Sequence, residues 1–165
     1  MGKKGRELVS MDIGKLVELL NKALADEWFA YYQYWIGAKV VTGPMRQAAV
    51  TELIEHAADE LRHAEMLSER ILQLGGTPIT DPNDWSKLAN CAYIKPNDFD
   101  IKAIIQQGVE GERCAIDVYS RLLEMTKDKD FVTYNMLLTI LSDEVEHEED
   151  FEALLEDLVH IGKTT

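Results

Sequence analysis

The sequence predicts an all-α four-helix bundle, and three observations carry that prediction. Four long stretches repeat apolar side chains at the three- and four-residue spacing of a helix with one buried face. Turn signals at Thr42-Gly43-Pro44, Gly75-Gly76 and Asp128 to Asp130 separate them. Between the second and third stretches, Pro78, Pro82 and Pro96 break any long helix, so the bundle must carry a long crossover. The 165 residues suit a single domain spanning 1–165 that can bury a core, and 46% apolar with 28% charged residues is a soluble globular composition.

Taken in order, residues 1–10 read as a flexible tail, with Lys3, Lys4 and Arg6 and no apolar run behind them. The first helix is expected from Asp12 to Val41, with Leu16, Leu20, Leu24, Glu27, Tyr31 and Tyr34 on its inward stripe. The second runs from Pro44 to Leu74 and turns Leu53, Ala57, Glu60, Ala64, Leu67, Ile71 and Leu74 to one face, with Gly75-Gly76 as its stop. The crossover, residues 75–98, has room for one short helix at Asp84 to Ala89, with Asp84 near its cap. The third helix is expected from Phe99 to Met125 and the fourth from Phe131 to Ile161, with no fifth helix after it.

The formal net charge of −13 argues against general affinity for nucleic acid or anionic membrane and suits a protein that attracts cations. No run approaches the ~18 apolar residues a membrane span needs, and a cytoplasmic location is expected. Two cysteines, Cys91 and Cys114, make neither a disulfide framework nor a zinc site, and in a reducing compartment they would be two buried free thiols.

The chemistry lies in Asp59-Glu60-Leu61-Arg62-His63 and its echo Asp143-Glu144-Val145-Glu146-His147. Residues three apart share a helix face, so each Glu-x-x-His presents one carboxylate and one imidazole together. Two such pairs, plus one Glu from each of two other helices, form the ligand set of carboxylate-bridged dinuclear bundles. Glu27, Glu60 and Glu144 fall inside apolar stripes, where an acid is unusual. In the third helix Glu112 shares a face with Gly108, Ile116, Tyr119 and Leu123, while Glu110 on a more polar face stays as an alternative. Such acids cannot be buried without compensation, and no Lys or Arg occupies the stripes. Two divalent ions would compensate them, bridged by Glu60 and Glu144, with Glu27 and Glu112 terminal and His63 and His147 one on each ion. Oxygen-rich ligation with one imidazole per ion suits iron or manganese. Asp59 and Asp143 stand where they can hydrogen-bond the distal nitrogen of a ligand histidine. His56, one turn before Glu60, either lines the metal's way in, serves as a labile extra ligand, or is a satisfied half-buried histidine.

The segment Ala58-Asp59-Glu60-Leu61-Arg62-His63-Ala64-Glu65, and the run from Glu27 to Gln33-Tyr34, resemble bacterioferritin within the ferritin superfamily. The resemblance covers the whole bundle and implies a ferritin-like fold with di-iron ligands at Glu27, Glu60, His63, Glu112, Glu144 and His147, two iron ions per subunit. It also gives Tyr34 the place of the family's tyrosine two turns after the first ligand. Bacterioferritin holds haem through a Met directly after the second-helix Glu; Leu61 stands there, so no haem is expected. The short crossover helix and missing fifth helix resemble the DNA-protecting mini-ferritins (Dps class), which form 12-subunit cages. Thioferritins combine that shell with an intrabundle site and a cysteine pair near the metals, a description that Cys91 and Cys114 fit.

The resemblance implies a ferroxidase that oxidises Fe(II) with H2O2 or O2 and stores Fe(III) in a homo-oligomeric cage, with weak or no DNA binding. One alternative is a rubrerythrin-like peroxidase, against which the absence of CxxC pairs counts. Another is a non-enzymatic DNA-coating protein.

Overall fold

The computed structural model describes residues 2–164, which form α1 (Lys3–Arg6), α2 (Ile13–Val40), α3 (Arg46–Leu74), a 3₁₀ turn (Pro82–Asp84), α4 (Trp85–Leu88), α5 (Ile101–Thr126) and α6 (Phe131–Thr164). Four long helices thus stand where the periodicity placed them, and no strand occurs among the described residues. Asp12 and Asp100 cap α2 and α5 by accepting from the backbone N–H groups of Lys15 and Lys102. Helix α3 begins two residues later than Pro44 because Met45 takes a left-handed φ of 58°. At its other end Gly75 (φ 84°) lets the Gly76 N–H return to the Ile71 carbonyl, at 2.9 Å, in a Schellman-type stop. The cap at the short crossover helix is Asp81, which accepts from the Asn83 N–H. Asp84, expected in that place, makes no cap bond and pairs with Lys87 instead.

Two backbone bonds fix the topology. Thr42, in the α2–α3 turn, donates to Phe99 (2.7 Å) and accepts from Ile101 (2.8 Å), so α5 starts beside the end of α2. The crossover therefore travels back along the whole bundle, and α3 and α5 run in the same direction, up-down-down-up. At the opposite end the Ser10 N–H bonds the Lys129 carbonyl at 2.9 Å. Helix α2 packs along α3 and α5 along α6, and α4 lies on α2. There Trp28 stacks on Trp85 with ring centroids 5.6 Å apart.

The apolar core comes in two parts. One holds Leu16, Leu20, Leu24, Leu67, Ile71 and Leu122; the other holds Leu53, Ile101, Ile104, Ile105, Val109 and Phe151. Between them, in sequence on every long helix, lie the buried acids and histidines described below. Arg70 is also buried. Its guanidinium takes both oxygens of Asp130 (3.0 and 2.7 Å) and donates to Thr133, while Asp130 accepts from the Val132 and Thr133 N–H groups at the start of α6.

Glycine is required at 108, where α5 meets α6: a Cβ there would lie 2.6 Å from the Phe151 ring. Gly108→Ala should therefore lower stability by about 1–3 kcal/mol, the usual cost of overpacking. Thermal unfolding of Gly108→Ala beside Gly108→Ala/Phe151→Leu checks it, with the second variant recovering part of the loss.

Candidate metal centre

Each long helix brings one carboxylate to the same level of the bundle: Glu27 from α2, Glu60 from α3, Glu112 from α5 and Glu144 from α6. His63 and His147 follow Glu60 and Glu144 by three residues and turn to the same place. All six are at most 3% exposed. Glu110, the alternative to Glu112, is exposed.

The distances divide the six into two overlapping sets. His63 Nδ1 lies 3.3 Å from Glu27 Oε2, 3.2 Å from Glu60 Oε2 and 3.2 Å from Glu144 Oε1. His147 Nδ1 lies 3.5 Å from Glu60 Oε1, 3.8 Å from Glu112 Oε1 and 3.6 Å from Glu144 Oε2. Glu60 and Glu144 thus give one oxygen to each histidine, while Glu27 and Glu112 each serve one. Ligand atoms on a single ion with bonds of ~2.1 Å sit roughly 3.0–3.5 Å apart, close to these separations. Glu27 Oε2, Glu60 Oε1, both Glu144 oxygens and His147 Nδ1 have no hydrogen-bond partner although fully buried. Orphaned buried acceptors are rare and costly. These five converge on two points, and the donor set fits a pair of divalent ions, because four carboxylates carry the charge that two such ions neutralise.

The remaining atoms of the cluster are held from behind, crosswise. His63 Nε2 meets Asp143 Oδ2 at 3.1 Å, and His147 Nε2 lies 3.5 Å from Asp59 Oδ2. Each aspartate therefore serves the histidine of the opposite helix, favouring a proton on Nε2 and a free Nδ1 facing inward. Arg62 joins the two aspartates, donating from Nη2 to Asp59 (2.7 Å) and Asp143 (3.0 Å). The tyrosines repeat the crossing: Tyr34 donates to Glu112, and Tyr119 donates to Glu27.

Electrostatics in the metal-free cluster follow from this crowding. Burial, and then the neighbouring carboxylates, push Glu27 and Glu112 well above the usual carboxylate range. Burial acts in the same direction on Glu60, but the imidazoles of His147 and His63 beside it outweigh it and hold its pKa low. Burial disfavours the imidazolium of His63 and of His147, yet the glutamates around them prevail. They raise His63 strongly and His147 to about 10. Protons on these groups supply the compensating positive charge in the absence of cations. His56 goes the other way: burial, and then the His147 charge, lower it to about 4.

Two openings lead inward. Between α3 and α6, Glu55, Asp59, Asp143, Glu146 and Asp150 surround His56 and His147 in an acidic mouth. On the other side a narrow cavity of about 40 Å³ is walled by Glu27, Glu60, Glu112, Glu144 and Cys91. Cys91 and Cys114 are joined in a disulfide with Cα atoms 6.0 Å apart, the pairing that the thioferritin resemblance implies and not the two free thiols that a reducing compartment alone suggests. Asp26 positions that wall, accepting from the Cys91 N–H (2.8 Å) and the Asn90 amide (2.7 Å), and burial raises its pKa to about 6.

The residues singled out from the sequence are thus brought together. Tyr119, Arg62 and Asp26 carry functions that the sequence reading did not assign. For Tyr119 a signal existed, since it follows Glu112 by seven residues as Tyr34 follows Glu27. Arg62 and Asp26 had none, because a charge beside a ligand is usually on the wet face.

Comparison with known proteins places these features in a family. The ferritin-like domain matches residues 17–161. A DNA protection during starvation protein of Pyrococcus furiosus is 42% identical over 152 residues, covering 90% of this chain and 81% of the relative. A bacterioferritin of Desulfovibrio desulfuricans is 30% identical over 154 residues, covering 91% of this chain and 79% of the relative. The chain also superposes on the bacterioferritin-related protein of Bacteroides fragilis, a dodecameric thioferritin, with a TM-score of 0.96, 39% identity and coverage of 99% and 98%.

Replacing one ligand should uncouple stability from metal. Glu144→Gln removes a buried acid whose two oxygens have no partner. The metal-free variant should melt above the metal-free wild type. Saturating Zn(II) should stabilise the wild type by about 2.7 kcal/mol for each ion at 100 times its Kd and the variant by clearly less. Calorimetry with and without chelator checks both signs.

Proposed function

The chain belongs to the ferritin-like domain family, and on that premise we propose that it oxidises Fe(II) at the buried cluster and stores the ferric product. The observation that carries this reading is the split of Glu60 and Glu144, each offering one oxygen to either half of the cluster. Two bridging carboxylates would hold two ferrous ions, the substrate, close enough to give up electrons together. Two Fe(II) become two Fe(III), and the two electrons with two protons convert H2O2 to two waters, or O2 to H2O2. Transfer in a pair avoids release of a hydroxyl radical, which ties iron storage to protection against oxidative stress. Glu27 with His63, and Glu112 with His147, are the terminal ligands of each half. Tyr119 fixes the second oxygen of Glu27, Tyr34 holds Glu112 by the Oε1 that faces His147, and Asp143 and Asp59 hold the histidine rings.

Ferric product is proposed to collect inside a hollow homo-oligomer, and twelve copies are favoured by similarity to the dodecameric Bacteroides protein. The net charge of −13 suits a shell that draws in cations. The Cys91–Cys114 disulfide is read as a redox pair, since it stands on the wall of the cavity that the four glutamates line. A DNA-coating function is a second reading, favoured by the name of the Pyrococcus relative. The charge opposes it, and a gel shift at physiological salt is expected to leave DNA unretarded.

Glu60→Ala and His63→Ala should keep the fold and the assembly while slowing Fe(II) oxidation on the order of 100-fold, the scale of several kcal/mol of metal-centred stabilisation. Stopped-flow oxidation kinetics with size-exclusion chromatography of the same samples test this. Wild-type rates in both variants would remove the cluster from the reaction.

A further inference from the structure

The two halves of the cluster are connected twice. In front, Glu60 and Glu144 give one oxygen to each histidine. Behind them a second connection runs outside the six side chains, through Asp143, Arg62 and Asp59. His63 Nε2 lies 3.1 Å from Asp143 Oδ2, and that same oxygen accepts from Arg62 Nη2 at 3.0 Å. Arg62 Nη2 also donates to Asp59 Oδ1 at 2.7 Å, and Asp59 Oδ2 stands 3.5 Å from His147 Nε2. One guanidinium nitrogen, with two hydrogens and an acceptor for each, thus closes a chain between the distal nitrogens of the two histidines.

The chain is not uniform. Three of its links have hydrogen-bond lengths, while the fourth, between Asp59 and His147, is slack at 3.5 Å. On the inward side His147 Nδ1 likewise stands farther from its glutamates than His63 Nδ1 does from its own. The His63 half is therefore set, and the His147 half has room to close. Coupling between two sites needs such an element, one that differs between the empty and half-filled states. Among the described residues no other lysine or arginine pairs with Asp59 or Asp143. Without Arg62, two carboxylates that share one donor would repel each other toward water, and each would release its histidine.

We infer that Arg62 couples the two half-sites, so that ordering of the His63 half draws the His147 half into place and the pair fills together. It acts through the aspartates and histidines, which makes it a positioning residue, and the effect is reciprocal between the halves. The consequence is chemical: a half-filled cluster offers an oxidant one electron where two are needed to avoid a radical. The side chains of Arg62, Asp59 and Asp143 are 45%, 33% and 26% exposed, so solvent and salt weaken the chain and the coupling belongs at the low end of its ordinary range. This inference rests on the dinuclear reading above.

The test is an anaerobic Co(II) titration of the assembled full-length protein, followed by visible absorbance and fitted to stepwise binding of two ions per chain. In Arg62→Gln the ratio of the second binding constant to the first should fall roughly fivefold, the lower end of coupling between two sites. Arg62→Lys should recover part of that ratio, because an ammonium keeps the charge that both aspartates share but not the planar fork. Arg113→Gln removes a guanidinium that ties α5 to α6 through Glu148 and Glu152, away from both aspartates, and its ratio should match wild type. An unchanged or higher ratio in Arg62→Gln, even with both constants lowered, would overturn the coupling. An equal fall in Arg113→Gln would also overturn it, as a general effect of helix pairing. Fewer than two Co(II) per chain in wild type would sink the dinuclear reading instead.

Discussion

Four carboxylates buried at one level of a helical bundle set the terms for the rest of the structure. In hydrocarbon an uncompensated carboxylate costs several kcal/mol, so a bundle that keeps four of them must supply positive charge at that level. In the metal-free form protons supply it, on His63, on His147 and on the two terminal glutamates, Glu27 and Glu112. Cations and protons compete for the same atoms. The apolar core is consequently divided, with aliphatic layers on either side giving the bundle its cohesion and the layer between them retaining a chemical capacity.

A layer of this kind is useful only if its geometry survives the repulsion within it. The protein holds it through bonds that cross between helices. Tyr34 of α2 is bonded to Glu112 of α5, and Tyr119 of α5 to Glu27 of α2. Asp59 of α3 faces His147 of α6, and Asp143 of α6 faces His63 of α3. Each half of the site is therefore oriented by the other half of the bundle, and sliding of the two hairpins would disturb both at once. Arg62 adds a single cation where both aspartates can share it. Away from the site, the buried Arg70–Asp130 pair locks the end of α3 to the start of α6 by the same means.

Much of this was legible because helical periodicity makes an exception visible. Glu27, Glu60 and Glu144 interrupt apolar stripes, and an acid in a stripe is a statement about the interior. Glu112 was separable from Glu110 by its neighbours one and two turns away, and the structure exposes the second and buries the first. The crosswise pairing was not legible, since periodicity assigns a residue to a face and says nothing about which opposite residue it meets. The α3 start was misplaced for a local reason, the left-handed turn at Met45, a conformation that side chain rarely signals. The disulfide was out of reach of spacing alone. Cys91 sits in a segment without periodic pattern, and it is Asp26, beneath it on α2, that brings its backbone to the site.

The two openings differ in chemistry, and that difference gives the site a polarity. The α3–α6 mouth is lined by carboxylates and histidines, groups that exchange water for a cation in steps. The α2–α5 cavity has more apolar than polar lining and ends on a disulfide, with no cluster of acids beyond the ligands themselves and Asp26. A charged ion approaching through the second would lose its hydration before meeting a carboxylate of the cluster, whereas through the first it meets Asp150, Glu55 and Asp59 on the way. A small neutral oxidant has no such requirement and can use the narrow, drier side. Placing the acids on one pair of helices and the disulfide against the other thus gives the buried carboxylates two unlike approaches, and under the proposed function the first would suit the metal and the second the electron acceptor.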